Sequence, residues 1–393
     1  MTTRPLRLFL VVGEDSGDQL GFKLMRALRA QYGADIVFEG VAGPAMIAEG
    51  MTSLFPLEEI AVMGFAAVIG RFRTIYTRAW QVINAVLADP PDALIIIDSP
   101  DFTHAVAKRV RRRLPDLTVI DYVSPSVWAW RPGRAKVMRA YVDQVLALLP
   151  FEPQAHRRLG GPACTYVGHP LIERLADLRP GPEDVARRQS ARPLVLALPG
   201  SRSGEIARMG EVFGATLGLL AASGLAFDVV VPTIERRAER VRALVATWPV
   251  AVTVVVEEAD KFAAFRQARA ALAASGTVML ELALAGVPMI GAYKVPGWEY
   301  FVAKRLVQVP SVLLPNIILG EPAVPELLQE RARADLLAQA LAPLVGESAE
   351  RRAQVEALAR LDALMQLDGG ELPSQRAARV VLETVAARSK RQA

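Results

Sequence analysis

Three short stretches carry side chains whose type and spacing suit chemistry. In "LVLALPGSRSGEI" (194–206) an apolar strand runs into a turn with the Ser201 hydroxyl, the Arg202 cation and the free amides of a starting helix. Such a turn suits an anion, and a charge-assisted bond from an arginine contributes about 1.5–3 kcal/mol. "AASGTVMLELALAGVP" (273–288) repeats the device with Ser275, Gly276 and Thr277. Glu281 follows four residues, about one helical turn, beyond Thr277, at a distance suited to the hydroxyl pair of a ribose. Two such turns and one acid point to a nucleoside diphosphate. "VVGEDSGDQLGFKLMRALR" (11–29) does the reverse. Here Glu14, Asp15 and Asp18 crowd the amino end of a helix predicted to start near Gly17, where they satisfy its dipole and repel a pyrophosphate. Gly13, Gly17 and Gly21 also miss the G-x-G-x-x-G spacing. This stretch reads either as a well-capped helix or as acids and a serine (Glu14, Ser16, Asp18) that bind a hydroxyl-rich acceptor.

Two series of strands must position these groups. "LRLFLVV", "DIVFEGV", "ALIIID", "LTVIDYV" and "QVLALL" alternate with helical stretches up to about residue 149. "LVLAL", "FDVVV", "VTVVV", "AALAA" and "VPMIGAY" follow after a charged, proline-bearing stretch containing Pro180, Pro182 and Pro193. Continuous apolar strands indicate parallel sheets covered on both faces. The expected architecture is α/β: two Rossmann-like, doubly wound parallel-sheet domains facing a cleft, 1–170 and 171–365. Residues 366–393 form a C-terminal helix that packs back on the first domain, ending a helical tail. Ligands in such sheets sit at the carboxyl ends of the strands.

At 393 residues and 52% hydrophobic, the chain can bury two cores. Its excess of basic residues, +5, suits a phosphorylated ligand or an anionic membrane surface better than nucleic acid, because no basic stripe with interleaved aromatics occurs. Cys164 is the sole cysteine, so the chain has no internal disulfide, and with three histidines it offers no zinc cluster. No apolar run reaches the roughly 18 residues of a membrane span, and the N-terminus is unlike a signal peptide. The expected location is cytoplasmic, with any membrane contact peripheral. Residues 60–88 contain no acid, and Phe65, Val68, Ile69, Phe72, Ile75 and Tyr76 recur at helical spacing among Arg71, Arg73 and Arg78. This is either a core helix or a candidate membrane-facing segment.

The motifs "GEDSGD", "IDSPDF", "YVSPSVWAWR", "LPFE", "VGHPL", "LPGSRSGEI", "SGTVMLELALAGVPMIGAYK" and "LLPNIILG" occur in an order that resembles the lipid-A-disaccharide synthase family, from about residue 6 to residue 330. The resemblance implies the two-Rossmann GT-B architecture and an inverting glycosyltransferase. It would join UDP-2,3-diacylglucosamine to 2,3-diacylglucosamine 1-phosphate, giving a β-1,6-linked disaccharide phosphate and UDP, at the inner face of the cytoplasmic membrane. No cofactor and no metal are expected, since the D-x-D triplet that serves the metal in the other glycosyltransferase architecture is absent from the sequence. An oligomer is compatible with the resemblance.

Asp98, at the end of "ALIIID", is the candidate general base for the acceptor hydroxyl, an effect that contributes about 10²–10⁴-fold. Asp101 is its rival, or caps the following helix. Ser201, Arg202, Ser275, Gly276, Thr277, Glu281 and Asn316 are the candidate donor-binding residues, with Asn316 alternatively holding a turn after Pro315. Trp128, Arg131 and His169 join Glu14, Ser16 and Asp18 as acceptor or cleft candidates, although the tryptophans also suit core packing and His169 a hinge. Two other readings remain: another UDP-sugar GT-B enzyme, either a transferase on a lipid-linked acceptor or an epimerase, and a non-catalytic nucleotide-binding, membrane-docking protein.

Overall fold

A computed structural model of the chain describes residues 4–61, 70–297, 300 and 309–392. The chain divides into two compact units, Met1–Ile172 with Leu367–Ala393, and Glu173–Gln366.

The first unit holds β1 (Leu6–Val12), β2 (Ile36–Val41), β3 (Thr52–Ser53), β4 (Ala93–Ile97), β5 (Thr118–Tyr122), β6 (Gln144–Ala147) and β7 (Ala163–Tyr166). They form one sheet in the order β3-β2-β1-β4-β5-β6-β7, parallel throughout. Its helices include α1 (Asp15–Tyr32), α2 (Pro44–Ala48), α3 (Phe72–Ala88), α4 (Pro100–Arg113), α5 (Gly133–Met138) and α6 (Glu152–Arg158). Leu8, Leu10, Val11 and Val12 of β1 and Leu94 to Ile97 of β4 are wholly buried, which is why these strands read as unbroken apolar runs. The C-terminal helix Pro373–Gln392 belongs to this unit and packs against α1, with Ala377, Ala378 and Val381 in the shared core.

The second unit repeats the plan with β8 (Leu194–Leu198), β9 (Asp228–Pro232), β10 (Val252–Val255), β11 (Ala268–Ala274), β12 (Met289–Tyr293) and β13 (Glu326–Leu328). The order is β10-β9-β8-β11-β12-β13, again parallel. Three of its helices matter below: α7 (Ser203–Ala222), α8 (Glu258–Gln267) and α9 (Val278–Leu284).

In both sheets the strand order reverses once, between β1 and β4 and between β8 and β11. At such a switch point the loops leaving two neighbouring strands diverge to opposite sides and open a crevice. The motifs singled out above leave these four strands: "GEDSGD" β1, "DSPD" β4, "PGSRSGE" β8 and "SGT" β11.

Close approach fixes one glycine at the first switch point. A Cβ on Gly13 would lie 2.3 Å from Ser99 Cβ, atom against atom next to the backbone. Gly276 has nothing within 4 Å of where a Cβ would stand. Chemical denaturation should therefore find Gly13→Ala destabilised by about 1–3 kcal/mol, the cost of overpacking, and Gly276→Ala within ~0.5 kcal/mol of the parent. Equal stability of the two variants would contradict this account.

Candidate functional site

The loop after β4 turns sharply. Asp98 (φ 58°) and Ser99 (φ 44°) are consecutive residues in the left-handed region, which costs of order 1–3 kcal/mol each for a residue with a side chain. The Asp98 amide still donates to Tyr122 O of β5 (3.0 Å), and the Thr103 hydroxyl donates to Asp98 O (2.8 Å), so the elbow is held from both sides. It sets the Asp98 carboxylate, half-buried, just beyond the carboxyl end of the central strand β4. Ser16 Oγ donates to Asp98 Oδ2 (2.6 Å) and the Ser99 amide to Asp98 Oδ1 (2.8 Å); Ser99 Oγ donates to Glu14 Oε1 (2.9 Å). Asp101 stands apart from this group, on the first turn of α4, its side chain 94% exposed and 3.7 Å from Arg134. Ser99, not Asp101, occupies the N-cap position.

The remaining first-unit candidates divide. α1 starts at Asp15, two residues earlier than expected, because Glu14 is extended and takes the N-cap position. Asp18 is not available to a ligand: it is buried, and its carboxylate accepts from the amides of Gly43, Ala45 and Met46, capping α2. The "SPSVWAWR" loop is not extended, since the amides of Ala129 and Trp130 turn back to Ser126 O. Trp128 consequently points inward. Its indole N–H donates to Glu152 Oε1 (3.1 Å) and its ring meets Phe151 edge-on, a packing role in place of an acceptor contact. Trp130 points outward, with the Arg131 guanidinium 4.3 Å from its ring centroid. Val123 (φ 84°) and Arg131 (φ 53°) bracket this loop, and a buried bond between Ser124 Oγ and His156 Nε2 (2.8 Å) anchors its start.

His169 lies in the turn after β7, where Nδ1 accepts from the Leu171 amide (3.2 Å). Burial pushes its imidazole down to about 4, so the ring is neutral at neutral pH. Burial pushes the Glu152 carboxyl the other way, up to about 7.

In the second unit, Glu205 in the first turn of α7 organises the turn that precedes it. Its Oε2 accepts from the amides of Ser201 (3.2 Å) and Arg202 (3.1 Å), so these two amides face a carboxylate of the chain itself instead of a phosphate. Its Oε1 accepts from Arg202 Nη1 (2.9 Å) and the Tyr293 hydroxyl (2.7 Å). Burial opposes the Glu205 charge, but the bonds from Tyr293 and Arg202 outweigh it and hold the carboxyl below its usual range. Burial and the carboxylate together push the Tyr293 phenol up to about 12. Arg202 keeps a side chain 71% exposed. Gly200 (φ 116°) permits the turn, and a Cβ there would strike Glu205 Cβ at 2.6 Å.

One strand over, at the end of β11, the Ser275 hydroxyl donates to Val312 O (3.1 Å), while Gly276 and Thr277 are exposed at the start of α9. Glu281 is half-buried and paired with Lys261 of α8 (2.7 Å). The register Ala273↔Leu198 sets the two turns side by side on one edge of the sheet. Asn316 is not part of that edge. Its amide is buried, with Nδ2 donating to Val324 O (2.9 Å) and Oδ1 accepting from the Val324 amide (2.8 Å); it holds the 316–324 turn closed. Tyr293, Lys261 and Glu152 escaped sequence reasoning, since a partner distant in the chain leaves no local pattern.

The family model for lipid-A-disaccharide synthetase matches residues 8–380. The chain belongs to this family. The lipid-A-disaccharide synthase of Bradyrhizobium diazoefficiens is 52% identical over 379 residues, 96% of each chain, and that of Rhodospirillum centenum 43% identical over 98% of this chain and 96% of its own. Among solved structures, MurG of Acinetobacter baumannii covers 96% of this chain and 100% of its own, with TM-score 0.62 and 14% identity. The calicheamicin glycosyltransferase CalG4 covers 98% and 99%, with TM-score 0.57 and 16% identity. These likenesses establish the GT-B fold. As a member of the lipid-A-disaccharide synthase family, the chain is a glycosyltransferase.

The His169 environment sets a pH dependence. Between pH 6.5 and about 4 the unfolded imidazole binds a proton that the native one refuses, so stability falls as pH drops through that window. Glu152 has the opposite slope between pH 4.5 and about 7, because the native state keeps a proton that the unfolded chain releases. His169→Asn retains an acceptor for the Leu171 amide and does not titrate. Melting curves should show this variant losing less stability than the parent from pH 6.5 to 4, by on the order of 1–3 kcal/mol; parallel curves would refute the assignment.

Proposed function

We propose that this chain transfers a 2,3-diacylglucosamine unit from UDP to the 6-hydroxyl of 2,3-diacylglucosamine 1-phosphate, with inversion, releasing UDP and a β-1,6-linked disaccharide phosphate. The observation that carries this reading is Asp98, a half-buried carboxylate on a positive-φ elbow at the switch point of the first unit, in a chain that matches its family almost end to end. Inversion needs one base and one displacement. Asp98 takes the proton of the acceptor hydroxyl as its oxygen attacks the anomeric carbon and the bond to the UDP oxygen breaks. Arg202, exposed at the N-cap position of α7 and oriented by Glu205, neutralises the departing diphosphate. Ser201 and the Gly276–Thr277 turn contact its oxygens, and Glu281 accepts from the ribose diol. Arg131, stacked on Trp130, contributes to the acceptor side.

The acyl chains require a membrane nearby, and α3 suggests how it is met. Phe72, Tyr76 and Trp80 are 63%, 50% and 36% exposed, and their rings follow one another at 6.3 Å spacing along one face. Arg71 and Arg73 flank this ladder on the exposed side. Ile75 turns to the core instead, and Arg78 is taken by Glu59 (2.7 Å). Residues 62–69, the rest of the apolar run, lie outside the described residues. Among the described residues no helix is long and apolar enough to cross a membrane. We assign the ladder to the interface of the inner leaflet, which makes the enzyme a peripheral protein of the cytoplasmic side.

Two experiments test this reading. Asp98→Asn should bind UDP as the parent does and lose about 10²-fold or more in kcat; near-full turnover would remove Asp98 from the mechanism. Phe72→Glu with Tyr76→Glu, both on an exposed face, should leave the melting temperature unchanged. Binding to anionic vesicles should weaken at least tenfold, since each aromatic group buried in the interface contributes about 1.5–3 kcal/mol. Unchanged vesicle binding would place the docking face elsewhere.

A further inference from the structure

At the first switch point two turns are laced together by a reciprocal exchange. The turn that opens α1 contributes a carboxylate (Glu14) and a hydroxyl (Ser16); the elbow after β4 contributes a carboxylate (Asp98) and a hydroxyl (Ser99). Each hydroxyl donates to the other turn's carboxylate: Ser16 Oγ to Asp98 Oδ2 at 2.6 Å and Ser99 Oγ to Glu14 Oε1 at 2.9 Å. The Ser99 amide holds the second Asp98 oxygen at 2.8 Å. Gly13 lacks the Cβ that would push the two turns apart.

We infer that Ser16 and Glu14 are positioning residues for Asp98, rather than ligands of the sugar acceptor. The inference rests on the reading of Asp98 as the base. An elbow made of two consecutive left-handed residues is a poor platform unless something determines its direction. With a donor on each oxygen, the Asp98 carboxylate is confined to one rotamer, and each oxygen keeps a second lone pair for an incoming hydroxyl proton. Ser16 fixes the carboxylate directly. Glu14 acts one step further away, by holding Ser99, whose amide and side chain form the other half of the elbow. Both roles need only hydrogen-bond geometry at the Glu14 end, and no negative charge.

A double-mutant cycle with the whole enzyme tests this, because residues acting through one another lose activity non-additively. Ser16→Ala should lower kcat about 10–100-fold, the scale of a misdirected reacting group, with the KM for acceptor within about twofold. Ser16→Thr, which retains the hydroxyl, should recover most of the loss. In the Asp98→Asn background Ser16→Ala should cost less than about twofold more. Glu14→Gln, still an acceptor for Ser99, should stay within a few fold of the parent, whereas Glu14→Ala should fall with Ser16→Ala. Unchanged melting temperatures exclude a folding defect. A Ser16→Ala loss that appears in the acceptor KM, or that multiplies with Asp98→Asn, would overturn the positioning role and return Ser16 to the acceptor contacts. Full activity of Asp98→Asn alone would instead remove the base reading on which the inference stands.

Discussion

Burial of the central strands on both faces is the constraint from which the rest of this molecule follows. β1 and β4 in one unit, and β8 and β11 in the other, present almost no side chain to solvent along their length. A parallel strand sandwiched in this way has only its ends left for polar work, and the reversal of strand order decides which ends open onto a crevice. The acidic turns and the cationic turn therefore stand at equivalent places in two copies of one plan. At these equivalent places the loops differ in charge, with carboxylates at the ends of β1 and β4 and an exposed arginine after β8.

The two edges solve a shared difficulty in contrasting ways. A starting helix leaves amides unsatisfied, and each unit supplies its own carboxylate to meet some of them. Asp18 satisfies α2 from a neighbouring helix; Glu205 reaches back from within the first turn of α7 to the Ser201 and Arg202 amides. Glu205 also ties Arg202 to Tyr293, so the cation is aimed by a group that is itself held by burial and three kinds of donor. An arginine kept in place in this manner loses less freedom when an anion arrives than one on an unbraced turn.

The sequence was most legible where a pattern is local. Nearly all long strands, the helices behind them and the placement of the charged turns at strand ends could be read from apolar runs and turn residues. β3 and β13, of two and three residues, were not legible, because strands so short have no period to detect. Side-chain direction was the other gap. Asp18, Trp128 and Asn316 have the composition of ligand contacts, yet each turns inward to backbone or side-chain partners that only the fold brings near. Nothing in "GEDSGD" or "IDSPDF" alone shows that Ser16 and Ser99 would exchange partners across 82 and 85 positions.

The path of the chain has a consequence for how the molecule is made. Residues up to Ile172 form most of one unit, but the helix that covers α1 is encoded only beyond Leu367, with the entire second unit in between. A nascent chain on the ribosome would carry the face of α1 uncovered while some two hundred further residues emerge and fold. The lobe begun first is thus completed only after the other, and a chain cut short before Pro373 would be injured at its beginning.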